Sequence, residues 1–89
     1  MIKRRLRAYK EVAIRDNNMC QVCGAVANDI HHIVFRSHGG DDIPENLICL
    51  CRHHHDQAHK DERKWRDHLI SLNGKHYGTL SMSKLKRSK

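Results

Sequence analysis

The sequence predicts one small α+β domain, two short strands and flanking helices, held together by bound metal as well as by an apolar core. The first observation is size. The chain has 89 residues, of which 38% are apolar or aromatic, with one Trp and one Phe and a mean hydropathy of -0.78. So short a chain buries a modest fraction of its surface and usually needs a staple. The second observation is the spacing of apolar residues, which changes along the chain from helical to β-prone and back. The third is the supply of ligands: 4 Cys and 9 His. The charged start, Met1-Ile2-Lys3-Arg4-Arg5, has no apolar stretch behind it, so no export signal is expected. Reduced, metal-binding cysteines are then expected rather than a disulfide framework.

From Ile2 to Arg15 the apolar positions Ile2, Leu6, Tyr9 and Ala13 recur at helical spacing between basic residues. Asp16-Asn17-Asn18 favours a turn and stops this helix. Cys20-Gln21-Val22-Cys23-Gly24 follows, and its glycine permits the tight backbone that lets two thiolates reach one ion. Ile30 to Phe35 is β-prone, which puts His31 and His32 on or beside a strand, and Ser37 to Asp42 is a loop of turn residues. Pro44-Glu45-Asn46-Leu47 leads into a second apolar run, Ile48-Cys49-Leu50-Cys51. A helix is expected from Arg52 to Lys60, continuing through Trp65, Leu69 and Leu72 and ending at Asn73-Gly74. The division expected is a basic N-terminal helix at 1–18, a knuckle and central unit at 19–60, a C-terminal helix at 61–74 and a basic tail at 75–89. That tail has little to bury and its end is expected to be disordered.

Structural zinc takes four ligands, mostly thiolates and imidazoles. Cys20 and Cys23 supply one pair, and Cys51 and His54 repeat their two-residue gap, giving an expected Cys20, Cys23, Cys51 and His54 site. Cys49 competes with His54, since strand positions two apart point to one face. His55 and His59, four apart, share a helix face, with His54 rotated about 100° from His55. Adjacent strand residues point oppositely, so one of His31 and His32 can be a ligand and the other a free base. Two imidazoles on a helix and a third from a strand leave coordination positions open for water and phosphate, as a catalytic metal requires. His38, His53, His68 and His76 are expected at the surface, and Trp65, Leu69 and Leu72 in the core.

A net charge of +7 and 17 Lys and Arg, dense at both ends of the chain, favour a polyanion such as a nucleic-acid backbone. Nothing pairs this charge with a long apolar face and no run is long enough to span a bilayer, so a membrane partner is not expected. The basic N-terminal helix is either a solvated face or a DNA-backbone contact. Arg36 and Arg52, which flank the expected cleft, are candidate phosphate contacts.

Taken in order, Cys20-Gln21-Val22-Cys23-Gly24, Ile30-His31-His32-Ile33, Gly39-Gly40-Asp41-Asp42, Glu45-Asn46-Leu47 and Leu50 through His55, closing at His59, resemble the HNH endonuclease family. The resemblance covers about half the chain and is nearest to the small zinc-stabilised HNH proteins of phages and bacteria. It implies the ββα-metal (His-Me finger) fold and DNA phosphodiester hydrolysis with one divalent ion, Mg²⁺, Mn²⁺, Ni²⁺ or Zn²⁺. In that pattern His31, His55 and His59 are ligands to the catalytic metal, His32 is the general base, and Asn46 pins the loop between the strands and orients the base. Cys20, Cys23 and Cys51 match zinc thiolates, while His54 stands where a fourth Cys is more frequent. The expected setting is cytoplasmic, with DNA as partner and a packaging terminase or other phage protein as a further one. A zinc-stabilised nucleic-acid-binding module without chemistry is the alternative, and it would need neither His32 nor the His55 and His59 pair.

Overall fold

The computed structural model describes residues 2–27 and 29–87. Helix α1 (Ile2–Arg15) leads through the cysteine knuckle to strand β1 (Asp29–His32). A loop with 3-10 turns at Arg36–His38 and Pro44–Asn46 returns the chain to strand β2 (Leu47–Leu50). Helices α2 (Arg52–Lys60), α3 (Glu62–Tyr77) and α4 (Met82–Leu85) complete the order. The strands pair antiparallel with Asp29 opposite Leu50, Ile30 opposite Cys49, His31 opposite Ile48 and His32 opposite Leu47. β2 is buried along its whole length, as its unbroken apolar run requires, and packs against both α1 and α2. Val12, Ile33, Val34, Leu47, Ile48, Leu50, Leu69 and Leu85 form the centre of the core.

α1 turns a different face inward from the one its apolar spacing suggests. Ala8 and Val12 are buried, Tyr9 and Ala13 lie at the edge of the contact, and Leu6 and Ile14 are 59% and 74% exposed. The rotation is fixed by the end of the helix. There the buried Asp16 carboxylate accepts the Cys49 N–H at 3.0 Å and both Nε and Nη2 of Arg15, at 2.7 and 2.9 Å. Arg15 also donates to the carbonyls of Pro44 and Leu47, at 2.8 Å each, so one ion pair ties α1 to β2. Asn17 and Asn18 then take left-handed conformations, φ 56° and 54°, which asparagine tolerates better than most residues, and the helix stops.

The single helix expected from Arg52 onward is two. Asp61 leaves helical geometry (φ -140°, ψ 74°) and its carboxylate accepts the Lys64 N–H, capping α3 instead of continuing α2. α3 also runs on to Tyr77, past Asn73-Gly74, because Asn73 faces inward and donates to the carbonyls of Glu45 and Leu47 at 3.2 and 2.9 Å. The basic tail does have something to bury. Leu85 is fully enclosed, its carbonyl accepts the Asp41 N–H at 2.9 Å, Lys86 bridges to Gly40, and the Arg87 N–H reaches the Gly39 carbonyl at 2.7 Å. The disorder expected at the very end falls on residues 88 and 89, outside the described residues, as does the side chain of Ile2. Among the described residues no helix is long and apolar enough to cross a membrane.

Candidate active site and metal centres

The knuckle is shaped by local backbone chemistry. Gly24 takes φ 80°, a conformation that suits glycine, and its N–H donates to the Cys20 carbonyl at 2.8 Å, curling Cys20 and Cys23 toward one point. Cys51 precedes α2 and His54 lies in its first turn, which brings them to the same point. The donor atoms of Cys20, Cys23, Cys51 and His54 all lie within 4.8 Å of one another. Cys23 Sγ to Cys51 Sγ is 3.8 Å, and His54 Nδ1 is 3.7 Å from Cys20 Sγ and 3.3 Å from Cys51 Sγ. A tetrahedral zinc with bonds of about 2.3 Å to sulfur and about 2.0–2.1 Å to nitrogen has edges of roughly 3.5–3.8 Å. The donor set therefore fits a structural zinc. Burial pushes the Cys20 thiol up, but backbone N–H groups of Cys51, Cys23 and Val22 outweigh it and bring the thiol below its usual range, toward the thiolate a metal requires. Cys49 points elsewhere. It is buried, its thiol lies 3.9 Å from the Val12 carbonyl, and burial raises it to about 11.

A second group forms where β1 meets α2. His31, buried on β1, faces His55 and His59 one turn apart on α2, and their ligand atoms also lie within 4.8 Å of one another. Ring centroids are 5.3 Å apart for His31 with each of the others and 4.6 Å for His55 with His59. Burial, then the neighbouring His55 and His59, pull His31 down to about 3, so its imidazole is neutral at pH 7. Burial also lowers His55. Imidazoles crowded together are poor company for a proton and good company for a metal cation. Among the described residues, His31 Nδ1 is buried without a hydrogen-bond partner, which fits a site completed by an ion.

These histidines line a cleft of about 220 Å³ with Ile30, His32, Phe35, Arg36 and Ser37. Phe35 stacks on the His59 ring at 4.7 Å and walls one side. His32 enters the cleft beside the imidazole group. Its Nε2 is 2.8 Å from Asp42 Oδ1, so the Nε2–H donates to the carboxylate and Nδ1 is the nitrogen left to accept a proton. Burial lowers His32, against the pull of Asp42, which keeps the ring neutral near pH 7. Asn46, fully buried, crosses the loop: its Oδ1 accepts the Val34 N–H at 2.8 Å, and its Nδ2 donates to the carbonyls of Val34 and Asp41 at 3.1 and 3.0 Å. Asn46 thereby fixes the strand end that carries His32 and the segment that carries Asp42.

Arg36 lines the cleft, whereas Arg52 stands one turn ahead of His55 at the start of α2 and is not among the lining residues; each is close to a carboxylate, Arg36 Nε 3.5 Å from Asp42 Oδ1 and Arg52 Nε 3.4 Å from Asp29 Oδ2. His38, His53, His68 and His76 are exposed. Two acids went unassigned in the sequence. Asp42 partners His32, and its signal was the paired acid of the Gly39-Gly40-Asp41-Asp42 loop. Asp29, two residues ahead of His31, places Oδ2 3.7 Å from His55 Nδ1, and both atoms are buried without a hydrogen bond. A larger concavity, about 460 Å³, beside Gly74 and Leu80 brings no such ligand set together.

Two antiparallel strands followed by a helix, with imidazoles of both meeting in one cleft, define a ββα-metal domain with an attached zinc knuckle. Residues 20–61 match the family model described as HNH endonuclease, so this segment of the chain is an HNH domain. No curated protein matches the chain. The HNH domain implies nuclease-type function in general, and HNH nucleases act on DNA with a divalent metal.

Proposed function

We propose that this chain is a metal-dependent endonuclease that hydrolyses DNA phosphodiester bonds with little sequence preference, with His32 as general base and Asn46 bracing it. The observation that carries this reading is the placement of His32: neutral, locked by Asp42 through Nε2, and set in one cleft with the His31, His55 and His59 group. A nucleic-acid-binding module has no use for that arrangement.

In the proposed reaction a water on the cleft side of His32 gives its proton to Nδ1 as its oxygen bonds to phosphorus. The P–O3′ bond breaks, the 3′ oxygen takes a proton from solvent water, His32 returns its proton to solvent, and the products are a 5′-phosphate and a 3′-hydroxyl. His31, His55 and His59 would hold the divalent ion, which when bound supplies positive charge to the phosphoryl and departing oxygens. Asp42 holds the ring in the tautomer that leaves Nδ1 basic and steadies the imidazolium once formed. Cys20, Cys23, Cys51 and His54 serve the fold through zinc and stay out of the chemistry. The setting proposed, on the resemblance to small phage proteins alone, is DNA processing or packaging beside a terminase. Co-purification of the terminase from infected cells tests that part.

The test of activity is incubation of zinc-loaded protein with supercoiled plasmid and Mg²⁺, Mn²⁺ or Ni²⁺, with His32→Ala alongside. Conversion to open-circle or linear DNA is expected for the unaltered chain. His32→Ala should lose the ~10²–10⁴-fold of general-base catalysis while keeping its melting temperature. Mobility shifts without cutting under every metal would return the chain to the binding-module reading.

A further inference from the structure

The segments on either side of the HNH match converge beside His32. On the N-terminal side, Tyr9 of α1 meets the His32 ring edge-on with centroids 6.1 Å apart, and Arg5 lies one turn earlier on the same helix. On the C-terminal side, residues 85–87 lie along the loop that carries Asp42, through Leu85 O to Asp41 N, the Gly40 and Lys86 bridge, and Arg87 N to Gly39 O. The Arg87 guanidinium then donates Nη2 to the Arg36 carbonyl at 3.3 Å. The available acids are already engaged. Arg4 holds Asp41 at 2.9 Å, and Asp42 is shared by His32 and Arg36. Among the described residues neither Arg5 nor Arg87 has a carboxylate within 4.0 Å.

From this juxtaposition we infer that Arg5, Arg36 and Arg87 form a phosphate-holding row along the His32 side of the cleft, which seats the backbone of the DNA strand to be cut. The row rests on the endonuclease reading above and adds to it the residues that position the substrate. Arginines carried on segments that meet around His32 and the Asp42 loop, with too few carboxylates among them, are complementary to the regularly spaced phosphates of a nucleic acid. Arg5 and Arg87 lie outside residues 20–61, so two of the three contacts come from this chain's own flanks.

The test measures duplex DNA binding by fluorescence anisotropy over a salt series, using zinc-loaded protein with no other divalent ion added, and plasmid-cleavage kinetics with it present. Variants are Arg5→Gln, Arg87→Gln, Arg87→Lys and, as control, Lys75→Gln, whose Nζ is held by Gln21 at 3.1 Å. Each Arg→Gln change should lower the slope of log K against log salt by about 0.9 and raise KM for DNA while kcat is kept. Arg87→Lys should retain the slope, because charge and not the Arg36 contact is what counts, and Lys75→Gln should change neither quantity. An unchanged slope in Arg5→Gln and in a folded Arg87→Gln overturns the inference, as does a loss confined to kcat. If Arg87→Gln melts early, Arg5→Gln alone decides. A chain that binds with the expected slopes yet cuts under no metal would sink the endonuclease reading and leave the row standing.

Discussion

At His32 the two ring nitrogens are chemically distinct, because only Nε2 has a carboxylate at 2.8 Å. Asp42→Asn keeps a polar partner of the same size but removes the charge, so the tautomer is no longer held and the imidazolium is less stabilised. We expect kcat for plasmid cleavage to fall ~10–100-fold, the range typical of outer-shell partners, with metal affinity unchanged in titration calorimetry. A matching loss of metal affinity would put Asp42 in the metal site instead. Asp29 gives the opposite pattern. With Oδ2 3.7 Å from His55 Nδ1, it can direct that N–H and leave Nε2 for the ion. Asp29→Asn should therefore weaken divalent-metal binding ~10–100-fold by calorimetry, and Asp29→Glu should restore part of it. Equal affinities in Asp29→Asn and the unaltered chain would remove Asp29 from this role. The histidines and cysteines were legible in the sequence because their side chains suit little else in such spacing. Asp29, Asp42 and Asp16 were not, since acids are common in turns and only the fold shows which become buried beside a partner.

The elements divide along the same physical line. β1, β2 and α2 could be read from short β-prone runs and an i, i+4 histidine pair, both of which are local signals. The rotation of α1 could not, because Leu6 and Ile14 are as apolar as Val12 and what decides between faces is the distant Arg15–Asp16 contact with β2. The break at Asp61 and the burial of Leu85 likewise depend on caps and contacts rather than on periodicity. The loop between the strands is where local and distant demands meet. Gly40 must be glycine, since a Cβ there would overlap the Val34 carbonyl and press on Asn46. Asn46→Ala would leave the Val34 N–H and two carbonyls unsatisfied in the interior. Each orphaned group costs roughly 1–3 kcal/mol, so the urea midpoint should drop and activity should fall with it as His32 and Asp42 lose their common support. A midpoint equal to that of the unaltered chain would mean that water replaces the Asn46 side chain without penalty.

For the molecule as a whole, the two ligand groups differ in what their loss should do, although α2 contributes to both. The knuckle joins segments far apart in sequence, Cys20 and Cys23 ahead of β1 and Cys51 and His54 after β2, and so closes the chain around the sheet. A structural zinc contributes on the order of 10–16 kcal/mol of apparent binding energy near pH 7, against a net stability of about 5–15 kcal/mol for a typical domain. In so small a core, removing it should remove the fold. The cleft group joins β1 to α2, which already pack through the core, so an ion there adds ordinary ligand stabilisation and no more. Zinc release followed with a chromogenic chelator, alongside helical ellipticity, separates the two. Cys20→Ser should express poorly and, where recovered, lack cooperative melting, and in the unaltered chain zinc loss and helix loss should coincide. His59→Ala should melt cooperatively within a few degrees of the unaltered chain, with divalent-metal binding in the cleft weakened. Helical signal that survives complete zinc release would show that the apolar core suffices, and the knuckle would then need another purpose than holding the chain together.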